Sequence, residues 1–356
     1  MNVIINRSGN VPAEDGAIHL YVSPEVGQKT WFDTRRKAIF VNGMDNEPKD
    51  FRESAWALST LLACPVTGVY NMTDGFWGDL GQCITDKIKF DASVTGRRAF
   101  TYDDWKMLVD VGYGVMRKTT PNLTQATYVR SLIQRNRATT SLYDLLQAPG
   151  YFQKGVPIFA HSQGNLITSN ALTALALAQG LGAIEGRLVN SYGSPCRFWP
   201  AGIVHRNNVF TFDPVGYLDL RMSWSYSKVG FTVAHSFLTY MKHDPEFVIN
   251  RFRLGGWGMT FNMNEEGLGN ALADMGANAD RLLPIFERLA SAHSADADDV
   301  VIYYLRKLRR TGREKVLRAL ATAKPELIRL LIKILDDGWT TGEEKSFIEH
   351  LQSLVK

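Results

Sequence analysis

The chain has 356 residues, 45% hydrophobic and 21% charged, which is the composition of an ordinary folded protein of about two domains and excludes a disordered or low-complexity one. The net charge of +4 is unevenly spread. Residues 301–335 hold ten Lys and Arg against Glu314 and Glu326, so a global positive field suited to nucleic acid is not expected.

At the start, MNVIINRSGN lacks the basic-then-apolar pattern of a secretory signal peptide. Cytoplasmic synthesis is expected, with any export by a route that needs no signal peptide. Residues 1–37 read as a lead-in, an edge hairpin with a strand-like stretch at Ile18 to Val22. Ala38 to Val41 (AIFV) is a short apolar run ending at Asn42-Gly43, the pattern of a buried strand. Phe51, Ala55, Leu58 and Leu62 follow at helical spacing, and Val66 to Tyr70 is a second apolar run closing at Asn71. Strand, helix, strand at this spacing is a βαβ unit and implies a parallel sheet.

The next such strand is Val156 to Ala160 (VPIFA). The long interval predicts a helical cap insertion over about 72–150, with helices at Tyr102 to Met116 and Ala126 to Leu146. Alternation then resumes, with a helix at Asn165 to Ala178 and strands at Arg187 to Asn190 and Val209 to Phe212. The fold class expected for 38–260 is α/β, a doubly wound, mostly parallel sheet. Its ligand site should lie at the carboxyl ends of the strands, where Asn42, Gly43, Asn71, Ser162, Ser194 and Asp213 fall. Residues 261–356 read as an all-helical module. Asp298-Asp299 starts a helix to Arg310, Pro325 opens ELIRLLIKIL with Gly338 as its stop, and Thr341 to Glu344 has capping-box spacing. No run approaches the roughly 18 apolar residues of a membrane span. Cys64, Cys83 and Cys196 lack CxxC spacing, so neither a disulfide framework nor a zinc site is expected.

Ala160-His161-Ser162-Gln163-Gly164 sits between a predicted strand and a predicted helix, the context of a nucleophile elbow. A sharp turn there exposes the serine oxygen and needs small residues two before and two after it, which Ala160 and Gly164 supply. The partners of such a serine follow in the order acid, then histidine. Asp213 ends an apolar run, and His235 comes 22 residues later at the start of a helix. The rivals are Ser191 in VNSYG, His205 and His243 for the base, and Asp219 for the acid. A helix N-cap is the plainer reading of Ser162, and packing beside the serine that of His161. Asn42, Gly43, Asn71, His161 and Ser194 are candidates to line a substrate pocket, although strand ends carry Asn and Gly for turn reasons as well. Asp79 in FWGD is equally open to a structural role. Asn71 and Asn122 match glycosylation sequons, a reading that the lack of a signal peptide disfavours.

VPIFAHSQGNLITSNAL, with FTFDPV and VAHSFLTY after it, resembles the lipase and esterase-like branch of the α/β-hydrolase superfamily. The alanine-first elbow is similar to that of small bacterial lipases. The resemblance covers about residues 38–255. It implies Ser162 as nucleophile, His235 as general base and Asp213 as the acid that orients it. It also implies an oxyanion hole from the backbone amides of Gln163 and Met44, although Asn42-Gly43-Met44 stands where that family has an HG or HGGG motif. The elbow, the NGM turn and the helical tail together are similar to hydrolase modules of secreted bacterial toxins and effectors. The expectation is a serine esterase, a lipase or phospholipase working through an acyl-enzyme with no metal or organic cofactor. A soluble carboxylesterase, thioesterase or amidase is the alternative within enzymes, and a non-catalytic hydrolase-fold binding protein the alternative outside them. The basic helices allow three readings: a solvated face, a docking surface for an acidic protein, or contact with an anionic membrane, Leu327, Leu330, Leu331 and Ile334 forming an apolar stripe beside the charges.

Overall fold

AIFV forms an interior strand because both its faces are covered, and all four residues are fully buried. The computed structural model describes residues 11–30, 32–43, 46–72, 102–152, 154–196, 198–209, 213, 215, 227–228, 235–242, 244, 247, 265–290, 297–336 and 341–355. These divide into two compact units. The second holds Met241–Lys356 with Glu25–Lys29 and Thr60–Ala63, and the first holds the rest, so the division falls earlier than the expected boundary at 260.

The first unit is a mixed α/β structure with a mostly parallel sheet. Its strands are β1 (Ile18–Tyr21), β2 (Ala38–Val41), β3 (Val66–Val69), β4 (Ile158–His161), β5 (Leu188–Tyr192), β6 (Val204–Val209) and the two-residue β7 (Ser227–Lys228). Their order across the sheet is β1-β3-β2-β4-β5-β6-β7. All neighbours run parallel except β1, which pairs antiparallel with β3. The described part of the lead-in supplies an edge strand to a partner far along the chain. From β2 the chain crosses through helix α1 (Pro48–Leu62) to β3 on one side, and β4 later pairs on the other. That reversal falls between the carboxyl ends of β2 and β4, the place where doubly wound sheets hold their ligands.

Alternation along the strands gives the sheet one aliphatic and one aromatic face. Ile39, Val41, Ile158 and Val189 join a core with the helices α2 (Tyr102–Thr119), α3 (Gln125–Ile133), α4 (Arg137–Gln147) and α5 (Gly164–Gln179). On the other face Phe40 stacks on Phe51 and lies 4.5 Å from Phe237 (ring centroids), while Phe159 stacks on Tyr192. Phe237 belongs to helix α6 (Phe237–Lys242).

Three expectations need correction. The helix expected over 126–146 is two, because the Asn136 side chain accepts from Thr139 N–H at 2.7 Å and starts α4 afresh. Leu142, Leu145 and Leu146 of α4 are fully buried in the same core as Ile39 and Val41. This part of the supposed cap is therefore a layer of the sheet domain itself. The strand expected from Val209 starts earlier, β6 covering Val204–Val209. Its polar, half-exposed sequence VHRNNV hid it from an apolar-run criterion, and residues 210–212 lie outside the described ones.

The second unit contains helices α7 (Glu265–Asp274), α8 (Ala279–Ala290), α9 (Ala297–Arg310), α10 (Lys315–Ala323), α11 (Pro325–Leu335) and α12 (Gly342–Leu354). They share one apolar core that includes Leu268, Phe286, Leu305, Leu327 and Leu351. Thr341 and Glu344 form the reciprocal capping box at the start of α12; Gly338 lies outside the described residues. The α11 stripe faces this core, with Leu327 and Leu331 fully buried and Leu330 packed against it. It is not available to a membrane. The basic residues are also partly spent, since Arg306 pairs with Glu343, Arg309 with Glu314 at 3.4 Å and Arg313 with Asp274 at 2.8 Å. No helix among the described residues is long and apolar enough to cross a membrane.

Candidate active site

Only Ser162 and Gln163 separate the end of β4 from the start of α5. To turn so sharply, Ser162 adopts φ +52°, the left-handed region that costs a residue with a Cβ about 1–3 kcal/mol. The surroundings hold it there. Its N–H donates to Tyr192 O at 3.0 Å, and its carbonyl accepts from Asn165 N–H at 3.0 Å and Asn165 Nδ2 at 2.9 Å. From the end of β2 Gly43 comes so close that a Cβ on it would lie 2.4 Å from Ser162 Cβ, so only glycine fits there.

Asp213 is fully buried, and each of its carboxylate oxygens lies 2.9 Å from His235 Nδ1. It also accepts from Val215 N–H at 2.9 Å and from the Tyr240 hydroxyl at 2.6 Å. Burial pushes its pKa up, but the His235 bond and charge, the Tyr240 hydroxyl and the Val215 amide outweigh that and hold it below the ordinary 3.8. An ionised carboxylate accepts only, so Nδ1 of His235 carries the proton and Nε2 offers a lone pair. Nε2 is buried with no hydrogen-bond partner among the described residues, and the ring's side chain keeps 21% exposure. The bond from Ser162 Oγ to Nε2 is not made in this structure, as is common before substrate binds. The residues on either side of them are linked. Tyr192, which holds Ser162 N–H, precedes Gly193, whose added Cβ would fall 2.6 Å from Asp213 Oδ2 and 2.8 Å from His235 Cε1. His161, the residue before the serine, donates from Nε2 to His235 O and lies 4.7 Å from its ring.

The other candidates separate clearly. Asn42 Nδ2 donates to Gly43 O and Asn71 O at 2.8 and 2.9 Å, its Oδ1 accepts from Asn71 N–H at 2.8 Å, and Asn71 Nδ2 donates to Gln163 Oε1 at 2.8 Å. All three side chains are buried. Asn42 and Asn71 thus tie β2, β3 and the elbow together instead of presenting amides to a pocket, and buried Asn71 is no glycosylation site. Ser194 is buried and its Oγ accepts from Cys196 N–H at 3.1 Å, a local turn. Ser191 shares the strand parity of Val189, so it faces the aliphatic side of the sheet, and its Oγ lies 2.7 Å from His205 Nε2. Both rivals are on the wrong side of the sheet to act with His235. Replacing Ser191 by alanine is expected to leave kcat within about 3-fold of the parent, measured on a short ester, because it costs an ordinary hydrogen bond remote from the carboxylate. Met44, Asp79, Asp219 and His243 lie outside the described residues.

Two residues escaped the sequence reading. Asn165 ties the elbow to β5 through Ser162 O and Tyr192 O, and Tyr240 anchors the acid. A signal for Tyr240 existed in a hydroxyl-bearing ring on a short apolar helix just after the histidine. Tyr240→Phe is expected to lower kcat about 10-fold, the kinetic equivalent of about 1.4 kcal/mol for one bond to a charged group; steady-state assays check it. Among the described residues no group of three or more His, Cys, Asp or Glu could hold a metal ion. Comparison of the chain with protein-family models, with curated proteins and with solved structures finds no match.

Proposed function

We propose that this protein is a serine hydrolase of the α/β-hydrolase type, cleaving carboxylic esters through an acyl-enzyme. The observation that carries the reading is the Asp213–His235 pair, whose main chain is bonded to His161, the residue before the strained serine: a fixed carboxylate sets the imidazole tautomer and leaves Nε2 buried and bare. Ser162 Oγ gives its proton to Nε2 as it attacks the ester carbonyl. The tetrahedral oxyanion takes hydrogen bonds from backbone amides, with Gln163 at the start of α5 as the first donor. His235 then returns the proton to the departing alcohol, leaving the acyl group on Ser162. Water loses a proton to the same nitrogen and attacks the acyl carbon; the bond to Ser162 Oγ breaks, Oγ takes the proton back from Nε2, and the acid leaves.

A lipid or phospholipid acyl ester is the substrate we favour. The support for it lies on α2, where Met107, Leu108, Val111 and Val115 are 44–63% exposed, an apolar face of the kind that marks an interaction site. Labelling with a fluorophosphonate probe tests the chemistry. The wild type is expected to label on Ser162 and the Ser162→Ala variant not at all; an unlabelled wild type would favour a non-catalytic binding protein. A panel of phospholipids against short soluble esters then tests the substrate, with faster turnover of the soluble esters assigning a carboxylesterase.

A further inference from the structure

His161 is the oddest member of the aromatic layer. Its ring lies among Phe237, Tyr240 and His235, at 5.7, 6.3 and 4.7 Å between centroids, and only 4% of the residue is exposed. A phenylalanine would fill this space with no polar atom to satisfy. The histidine instead makes one hydrogen bond, from Nε2–H to His235 O, and leaves Nδ1 buried with no partner among the described residues. Because a carbonyl only accepts, Nε2 carries a proton, and the buried Nδ1 has no acceptor among the described residues for a second one. Burial, with the neighbouring His235 adding to it, pushes the pKa of His161 down to about 3. A protonated His161 would set a second positive charge beside the imidazolium that His235 becomes during the reaction.

We propose that His161 is a positioning residue: a neutral donor that fixes the backbone of His235 where α6 begins and covers one face of its imidazole, so that Nε2 stays aimed at the serine. This rests on the serine-hydrolase reading above. Asp213 fixes the ring from Nδ1 and His161 fixes the main chain, so the imidazole is held at two points. The residue next to the nucleophile thereby sets the geometry of the base, and the elbow and α6 move as one unit.

The test compares wild type, His161→Phe, which keeps a ring and loses the donor, and His161→Gln, which keeps an N–H of similar reach. Loss of the donor is expected to lower kcat about 10-fold to 100-fold, the effect of a displacement of about an ångström, with KM within 2-fold. Gln is expected to recover most of that loss. In the wild type, 15N spectra of the ring should show a neutral Nε2–H tautomer down to pH 4.5. Wild-type kcat in the Phe variant, equal losses in Phe and Gln, or titration of the His161 ring near the ordinary 6.5 would each overturn the proposal. If neither variant melts cooperatively, the wild-type ring titration alone decides. Failure of the wild type itself to label with fluorophosphonate would instead remove the hydrolase reading, and this role with it.

Discussion

Replacing Ser162 by alanine will lower kcat about a million-fold, since residues acting as a unit lose nearly all of their effect when the nucleophile goes. The fold will survive, because the serine hydroxyl makes none of the bonds that hold the turn; those run through its N–H and carbonyl. Glycine at the same position separates strain from chemistry. At φ +52° the Cβ is what costs, so Ser162→Gly will be as inactive as alanine yet about 1 kcal/mol more stable than it. Thermal melts of the three proteins measure this, and a glycine variant less stable than the alanine one would mean that the turn carries no strain.

Asp213→Asn will lower kcat about ten-thousand-fold while leaving the sheet intact. The amide can present an N–H to His235 Nδ1, which then must become the acceptor. The proton moves to Nε2 and the lone pair needed by Ser162 is lost. The same substitution has a signature in stability. The pKa of Asp213 is depressed in the fold, so its contribution is present in full above the unfolded value of about 3.9 and disappears as pH falls through the depressed one. The wild type should therefore melt higher than the asparagine variant at pH 7, and the gap should narrow in acid. A gap that is constant between pH 7 and pH 3 would show that folding does not depress the pKa of this carboxylate.

What the sequence displayed, it displayed through local rules. AIFV and VPIFA could be read as strands because interior parallel strands are apolar on both faces, and the sharp turn at Ser162 because five consecutive residues state its steric demand. The start of β6 was missed because it lies near the sheet edge, where VHRNNV needs to be only half apolar. The partners of the acid and the amide chain from Asn42 to Gln163 were illegible for another reason. Tyr240 reaches back 27 positions and Asn71 reaches forward 92, and no periodicity records a side-chain bond across such distances. The amphipathic stripe of α11 was correctly seen as amphipathic, but a stripe does not say whether lipid or five neighbouring helices will cover it.

The crossing that sets β4 beside β2 also decides when activity can first exist. Ile39 pairs with Ile158, 119 positions away, and His235 lies a further 77 along. Contacts this distant are slow to form because a long stretch of chain must be ordered before they repay it. The helices of the second unit meet neighbours close in sequence. On refolding from denaturant, helical circular dichroism should therefore recover ahead of ester hydrolysis. On the ribosome, a nascent chain that has not yet shown residue 235 lacks the base that the proposed reaction needs.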